Sequence, residues 1–432
     1  MKKLTVNVLL LMMVSTSQIP VASAAQAPQY VLEKVVTLSR HGVRPQTDSA
    51  SLQKATGQAW PEWTVPDGFL TGHGYMGVAQ QGAYQLKQWL AQGLPLKEQQ
   101  HCPTPGSVWV WAAPDQRTKA TGMALVDGMF PGCGIAVHSA STPHDPLFDT
   151  LEMGLAHPDM AVVKQEVMAR MGSPEEAAKR YQPAVDLLRQ AVCTPDKDSC
   201  TFLDKPWKVK ISDNGKVKLG GPVSAGATIG ETIRLQYSEN LPLEQVAFGH
   251  AASAEQVSAL MALHAAKYDL VSDTPEYARH GGSILMRQLL NALTAGTQNP
   301  TSQTINPALQ RPLVMLVGHD TNIAQIQTML GFNWQLPVYP RNDIPPGGSL
   351  NLARYKNTQT GEQLVRITFS ARTLDQWRQL SPLNAQHPLP EAEFQAAWCK
   401  KTDVGTLCPL AEFVSHVRQQ LVDDGKDMAV FK

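Results

Sequence analysis

One stretch constrains this chain more than any other. Val35-Val36-Thr37-Leu38-Ser39 runs straight into Arg40-His41-Gly42-Val43-Arg44-Pro45. The segment from Leu32 to Leu38 reads as a strand buried on both faces, which is the habit of strands in parallel sheets. Gly42 is expected to let the backbone turn tightly there, and Pro45 stops a helix from starting. His41 therefore falls at the carboxyl end of a central strand, where open α/β sheets bind ligands. Two guanidiniums flanking one imidazole suit a phosphate, because Arg can grip phosphate oxygens with paired hydrogen bonds. The same cations disfavour a further positive charge, so His41 is expected to be neutral and able to act as a nucleophile. The plainer reading of the spacing is a solvated basic loop after a strand.

Two further strands end in the same manner. Val108-Trp109-Val110-Trp111 leads to Ala113-Pro114-Asp115-Gln116-Arg117-Thr118 and then to a helix rich in Ala, Leu and Met. A helix start carrying an Arg is a good anion site, since free amides and the helix dipole favour negative charge. Leu313 to Val317 leads directly to Gly318-His319-Asp320-Thr321-Asn322. Three strand ends delivering polar residues to one rim is what a site at the carboxyl edge of a parallel sheet requires.

Arg40 to Pro45 resembles the RHGxRxP signature of the histidine acid phosphatases, and His319-Asp320 resembles the HD element that those enzymes carry near the C-terminal end. The similarity runs from about residue 30 to the end of the chain. It is greatest to the bacterial periplasmic branch, which contains phytases and glucose-1-phosphatases. The resemblance implies an α/β fold with a phosphoglycerate-mutase-like, mostly parallel central sheet flanked by helices and an inserted, mainly α-helical domain. It implies His41 as the nucleophile and Asp320 as the general acid, which must start protonated, hence an acidic optimum. It also implies a phosphate clamp of Arg40, Arg44, Arg117 and His319. Thr47, Glu231 and Arg279 are candidate substrate contacts; Glu231 reads equally as an ordinary charge on a helix. Asn342 to Gly348 resembles a loop that closes the site. No metal or cofactor is expected, because the arginines supply the positive charge.

The substrate is less decided. The Gly42 and Thr321 positions resemble phytases, whereas the run from Leu235 to Ala247 resembles glucose-1-phosphatases. Asp48 stands where many phytases of this type have Lys. Rival readings from other classes are a phosphoglycerate-mutase-like phosphotransferase and a periplasmic binding protein for sugar phosphates.

At 432 residues the chain exceeds one small domain. Lys2, Lys3, a short apolar run and Val21-Ala22-Ser23-Ala24-Ala25 read as a signal peptide over residues 1–25, cleaved after Ala24 or Ala25. The α/β domain is then expected over 26–145 and 275–432, with the helical insertion over 146–274 forming a roof. The insertion includes a hairpin turning at Asp213-Asn214-Gly215. Export suits disulfides among the six cysteines. Fifteen pairings exist. Short separations favour Cys193 with Cys200 and Cys399 with Cys408, leaving Cys102 with Cys133. No C-x-x-C or H-E-x-x-H spacing suggests a metal. Acidic and basic residues balance at 37 each, which points to no nucleic acid and no anionic membrane as partner. The expected partner is a small phosphomonoester, bound by a monomeric, exported chain.

Overall fold

The computed structural model describes Met1 and residues 29–212 and 216–432. The signal-peptide expectation and the Asp213-Asn214-Gly215 turn lie outside the described residues. Strand β1, Tyr30–Arg40, is the spine of a mixed sheet. A two-stranded ribbon, β2 (Glu98–Gln99) and β3 (Cys102–Pro103), precedes β4 (Val108–Ala112) and β5 (Val137–Ser139). A second ribbon, β6 (Lys208–Ile211) and β7 (Val217–Gly220), precedes β8, Leu313–Gly318. Then follow β9 (Ser349–Asn357), β10 (Gln363–Ser370), β11 (Glu391–Glu393), β12 (Lys400–Thr402) and β13 (Gly405–Pro409).

The strands β1, β8, β4 and β5 pair parallel in that order. On the other side of β1 the sheet continues antiparallel through β9 and β10. The apolar runs of the parallel strands are explained by burial on both faces. Val36, Leu38, Trp111, Val314 and Leu316 join one core with Leu285, Leu289 and Ile323. Val35, Val110, Met315 and Val317 join another with Val78, Leu86 and Leu125. The first set comes from helices α9 (Pro275–Thr294) and α10 (Asp320–Leu330), the second from α2 (Gly72–Ala91) and α3 (Gln116–Met129).

The short helix α1, Ser49–Thr56, is capped by Asp48, which accepts from the Ser51 amide at 2.9 Å. Helices α4 (Met160–Met171), α5 (Pro174–Val192) and α6 (Pro222–Ser238) follow. The run from Ala254 to Leu270 has the apolar spacing of one helix, yet it is broken into α7 (Ala254–Leu260), α8 (Ala262–Lys267) and a π-helical turn, Tyr268–Ser272. The break sits against α6. A Cβ on Gly230 would lie 2.9 Å from the Leu260 carbonyl and 3.3 Å from Met261 Cα, so backbone meets backbone at this crossing. The apolar core runs unbroken from the sheet into these helices, from Val36 and Leu316 to Val185 and Ile229. The expected disulfides are all present: Cys102–Cys133, Cys193–Cys200 and Cys399–Cys408.

Candidate active site

The parallel register brings the two distant motifs together. Arg40 pairs with Gly318, and the His41 amide donates to the Gly318 carbonyl at 3.2 Å. Ala112 pairs with Val317, and the Ala113 amide donates to the Val317 carbonyl at 2.9 Å. The carboxyl ends of β1, β8 and β4 are therefore adjacent, and their loops share one rim. A cavity of about 330 Å³ opens there, lined among others by Asp115, Arg117, His319, Thr321 and Tyr277. A larger groove of about 1010 Å³ lies beside Glu33, Lys356 and Arg418, and none of the motif residues line it.

His41 is 2 % exposed. Its Nδ1 lies 2.9 Å from its neighbour's carbonyl, Gly42 O. A carbonyl can only accept, so Nδ1 carries the proton and Nε2 keeps its lone pair. Burial, followed by the charges of Arg44, Arg40 and Arg117, holds the imidazole well below its usual range. The result is a neutral histidine whose Nε2 keeps its lone pair. Gly42 is needed for a reason other than the expected turn. It is not among the glycines with positive φ, but a Cβ there would meet Val78 Cγ2 at 2.9 Å, Leu70 Cδ1 at 3.0 Å and Gly74 O at 3.1 Å. The motif loop lies hard against the start of α2, where Thr71 caps the helix through the Gly74 amide at 2.9 Å.

Three guanidiniums surround His41. Arg40 is fully buried, and its Nη1 donates to Ile344 O at 2.6 Å. Arg44 donates Nη1 to Pro45 O at 2.8 Å. Arg117 Nη1 lies 3.2 Å from Asp115 Oδ1. The Nε atoms of Arg40, Arg44 and Arg117 are all buried without a partner. Three guanidiniums around one imidazole concentrate positive charge at this rim, which suits an anion. Asn342 to Gly348 packs directly on the motif: the Gly347 amide donates to His41 O at 2.9 Å and the Arg40 amide to Gly348 O at 2.8 Å.

His319 is the residue before α10 and stands with its ring centroid 6.0 Å from that of His41. Asn322 Oδ1 lies 3.3 Å from its Nδ1, and Asp115 Oδ2 lies 2.8 Å from its Nε2. Asp115, which sequence reasoning passed over, lines the same cavity. It precedes α3 but caps nothing with its side chain; it grips His319 and Arg117 instead. That hydrogen bond to His319, with Arg117 adding to it against the cost of burial, lowers its carboxyl to about 2. The available signal was an acid two residues before the clamp Arg, at a position where a cap is ordinary.

Asp320 Oδ2 lies 3.4 Å from Arg40 Nη2. The Tyr268 hydroxyl on the π-helical turn hydrogen-bonds the Asp320 carboxylate. Burial opposes its charge. Arg40 above all, then His264, Lys267 and the tyrosine, nevertheless hold Asp320 well below the ordinary carboxylate range. The expected starting state, a protonated Asp320, is therefore not that of the unliganded site.

Glu231 departs from both of its expected readings. It is neither a free substrate contact nor a solvated helix charge. It is buried, and its two oxygens bind Arg40 Nη2 and Arg234 Nη2. Arg279 is corrected too. Tyr277 and Gly281, four residues apart on α9, face the cavity. Arg279 lies on the other side of that helix and donates Nε to Gln420 O at 2.9 Å. Its neighbour His280 binds Asp424 and Glu276. Thr47 is exposed and lies by Gly68 together with Arg117: a Cβ on Gly68 would be 3.6 Å from Thr47 Cγ2 and 3.6 Å from Arg117 Nη1.

An α/β sheet that gathers a buried neutral histidine, three arginines and a His-Asp pair at one edge defines a site for phosphoryl chemistry on a histidine. The sequence model of the histidine phosphatase superfamily (branch 2) matches residues 31–370. The chain belongs to that superfamily. It is 33% identical over 414 residues to the phytase AppA of Escherichia coli K12, covering 92% of this chain and 94% of that one. It is 30% identical over 405 residues to a glucose-1-phosphatase of Salmonella typhimurium, covering 91% and 94%. Among solved structures, the phytase of Klebsiella sp. ASR1 superposes with a TM-score of 0.84 at 41% identity, covering 93% of this chain and 97% of that one.

Proposed function

We propose that this chain is an exported acid phosphatase that hydrolyses phosphomonoesters through a phosphohistidine on His41, with phytate as its principal substrate. The observation that carries this is the His41 ring. Its Nδ1 is tied to Gly42 O, and three arginines stand around it. His41 Nε2 attacks phosphorus in line, and the bond from phosphorus to the ester oxygen breaks. Arg40, Arg44, Arg117 and His319 offset the charge of the non-bridging oxygens, which is the main requirement of phosphoryl transfer. The departing alkoxide takes a proton from Asp320. Water then attacks the phosphohistidine, Asp320 takes its proton, and His41 and phosphate are released. A bound phosphate adds negative charge beside Asp320 and Arg40, which raises the affinity of Asp320 for a proton. The protonated acid thus belongs to the complex rather than to the free protein, and an acidic optimum follows. No step in this scheme requires a metal or cofactor.

The phytase relatives and the positions of Gly42 and Thr321 support phytate. Residues 146–274, with Glu231 reaching Arg40, are read as the roof of the cleft, and Thr47 as a contact at its mouth. Glucose 1-phosphate is the second reading. It is favoured by Asp48, whose carboxylate caps α1 through Ser51 rather than offering a cation to a second phosphate. A substrate panel tests the choice: kcat/KM on phytate is expected to exceed that on glucose 1-phosphate. A preference for glucose 1-phosphate of about tenfold or more, worth ~1.4 kcal/mol at the transition state, would replace phytate with the second reading. No phosphate release from any ester would reject the phosphatase.

A further inference from the structure

Behind the cluster of arginines lies a closed ring of buried charges. Arg40 binds Glu231 through Nη2 and the Ile344 carbonyl through Nη1. Glu231 gives its other oxygen to Arg234 Nη2, three residues along α6. Arg234 Nη1 binds Asp343 Oδ2, and Asp343 adjoins Ile344 in the chain. The ring thus ties together the end of β1, helix α6 and the loop that packs on His41. The side chains of Arg40 and Arg234 are 0% exposed, that of Asp343 is 3% and that of Glu231 is 9%. Arg234 and Asp343 line none of the cavity beside His319 and Arg117.

We propose that Arg234 and Asp343 are positioning residues for the phosphate site: without touching substrate, they set, through Glu231, how much of the Arg40 charge remains for the phosphate. The inference rests on the phosphatase reading. A carboxylate facing Arg40 alone would pair fully with it and compete with an incoming phosphate. Arg234 draws off half of that carboxylate, and Asp343 in turn balances Arg234. Stability is a poor explanation for such a ring. Burying four charges gains little over well-packed apolar residues, whereas breaking the set is costly.

Asp343 makes the ring sensitive to pH. It faces Arg234 and Glu231 from α6, Arg40 from β1, Asp320 from α10, His264 from α8 and Tyr339 from its own loop. Burial, against the pull of Arg234, lifts its carboxyl to about 6. Burial keeps His264 at about 4, so that imidazole is neutral across the range in question. Above about pH 6 the two arginines face Glu231 and Asp343 within the ring, with Asp320 also 3.4 Å from Arg40. Below it Asp343 takes up a proton, Arg234 leans more on Glu231, and Arg40 is freed for the anion.

Calorimetric binding of inorganic phosphate tests this at pH 7.5 and pH 5 without relying on turnover. At pH 7.5, Arg234→Met is expected to weaken binding about tenfold, the scale of one uncompensated charge near a partly shielded site. Adding Glu231→Gln to it should restore most of that loss, because the carboxylate no longer holds Arg40. Asp343→Asn should act in the opposite direction, tightening binding several-fold at pH 7.5 and matching the wild type at pH 5. It keeps an acceptor oxygen for Arg234, so it decides the matter alone if Arg234→Met does not fold. Wild-type affinity in both single variants would overturn the inference. So would a double variant no better than Arg234→Met, or an Asp343→Asn that weakens binding equally at both pH values, as lost packing would. A wild type that binds no phosphate would bring down the phosphatase reading itself, and this inference with it.

Discussion

Replacing Asp320 by Asn separates a general acid from a structural carboxylate, and the structure gives the effect two opposing parts. The amide cannot deliver a proton, so an inositol or sugar alkoxide must leave unassisted. That loss is expected to be roughly 10²–10⁴ in kcat, the usual range for general acid catalysis. p-Nitrophenolate is a weak base and leaves readily, so phosphoenzyme formation from p-nitrophenyl phosphate should suffer far less. The second part is electrostatic. Asp320 sits 3.4 Å from Arg40 and faces the same site as the phosphate. At an assumed separation of about 5 Å and an effective dielectric near 20, one unit of charge repulsion is worth about 3 kcal/mol. At a pH where Asp320 stays ionised beside the phosphate, removing it should tighten phosphate binding by up to about a hundredfold. Asp320→Asn should therefore show a large fall in kcat on phytate together with stronger inhibition by inorganic phosphate. Pre-steady-state release of nitrophenolate should show a burst, because the same carboxylate is needed to activate water in the second step. An equal loss of the first step on both leaving groups, with phosphate inhibition unchanged, would refute the reasoning and leave Asp320 a structural residue at the start of α10.

Three other outcomes follow from particular contacts. Glu239 is half-buried and accepts from the Thr71 hydroxyl at 2.6 Å, and its partial burial lifts its carboxyl to about 7 from an ordinary 4.5. The folded state thus holds a proton that the unfolded chain releases, so this group costs stability as pH rises from about 4.5 to 7, by at most about 3 kcal/mol. Glu239→Gln should be the more stable protein in urea at pH 8 and equal to the wild type near pH 4; a gain at both would assign it to packing. Gly42→Asn should cost about 1–3 kcal/mol of stability by overpacking against Val78 and Leu70, read by thermal unfolding; a neutral effect would show that the loop can shift. Arg117→Ala should slow phytate and p-nitrophenyl phosphate alike, since both place the same phosphoryl group in the clamp; a loss confined to one substrate would move Arg117 to the leaving-group side.

The parallel core and the three strand ends were legible because two-sided burial leaves no polar alternation in Val35 to Leu38, Val108 to Trp111 or Leu313 to Val317. Convergence of Arg40, His41, His319 and Arg117 followed from those ends. What the sequence hid depends on which way a side chain points across tertiary contacts. Arg279 differs from Tyr277 and Gly281 by half a turn of one helix, and that half turn sends it to Gln420. Glu231 looked like a roof contact because its tie to Arg40 crosses from α6 to β1, which no local pattern records. Asp115 was overlooked because an acid before a helix ordinarily caps it, whereas here it orients His319. The break between α7 and α8 was invisible for a similar reason: it lies where Leu260 and Met261 pack against Gly230 of another helix. Gly42 was singled out for turning, when its real constraint is the approach of Val78 and Leu70.

The central claim is that His41 carries the phosphoryl group, and the most direct measurement is rapid quench into alkaline denaturant during turnover of labelled phosphomonoester, followed by peptide mapping at alkaline pH. The account predicts a label that is lost in acid and resides on the peptide containing His41. It also predicts that His41→Ala folds, still binds inorganic phosphate and carries no label. A covalent phosphoryl group that persists in His41→Ala, or one mapped to another side chain in the wild type, would contradict it.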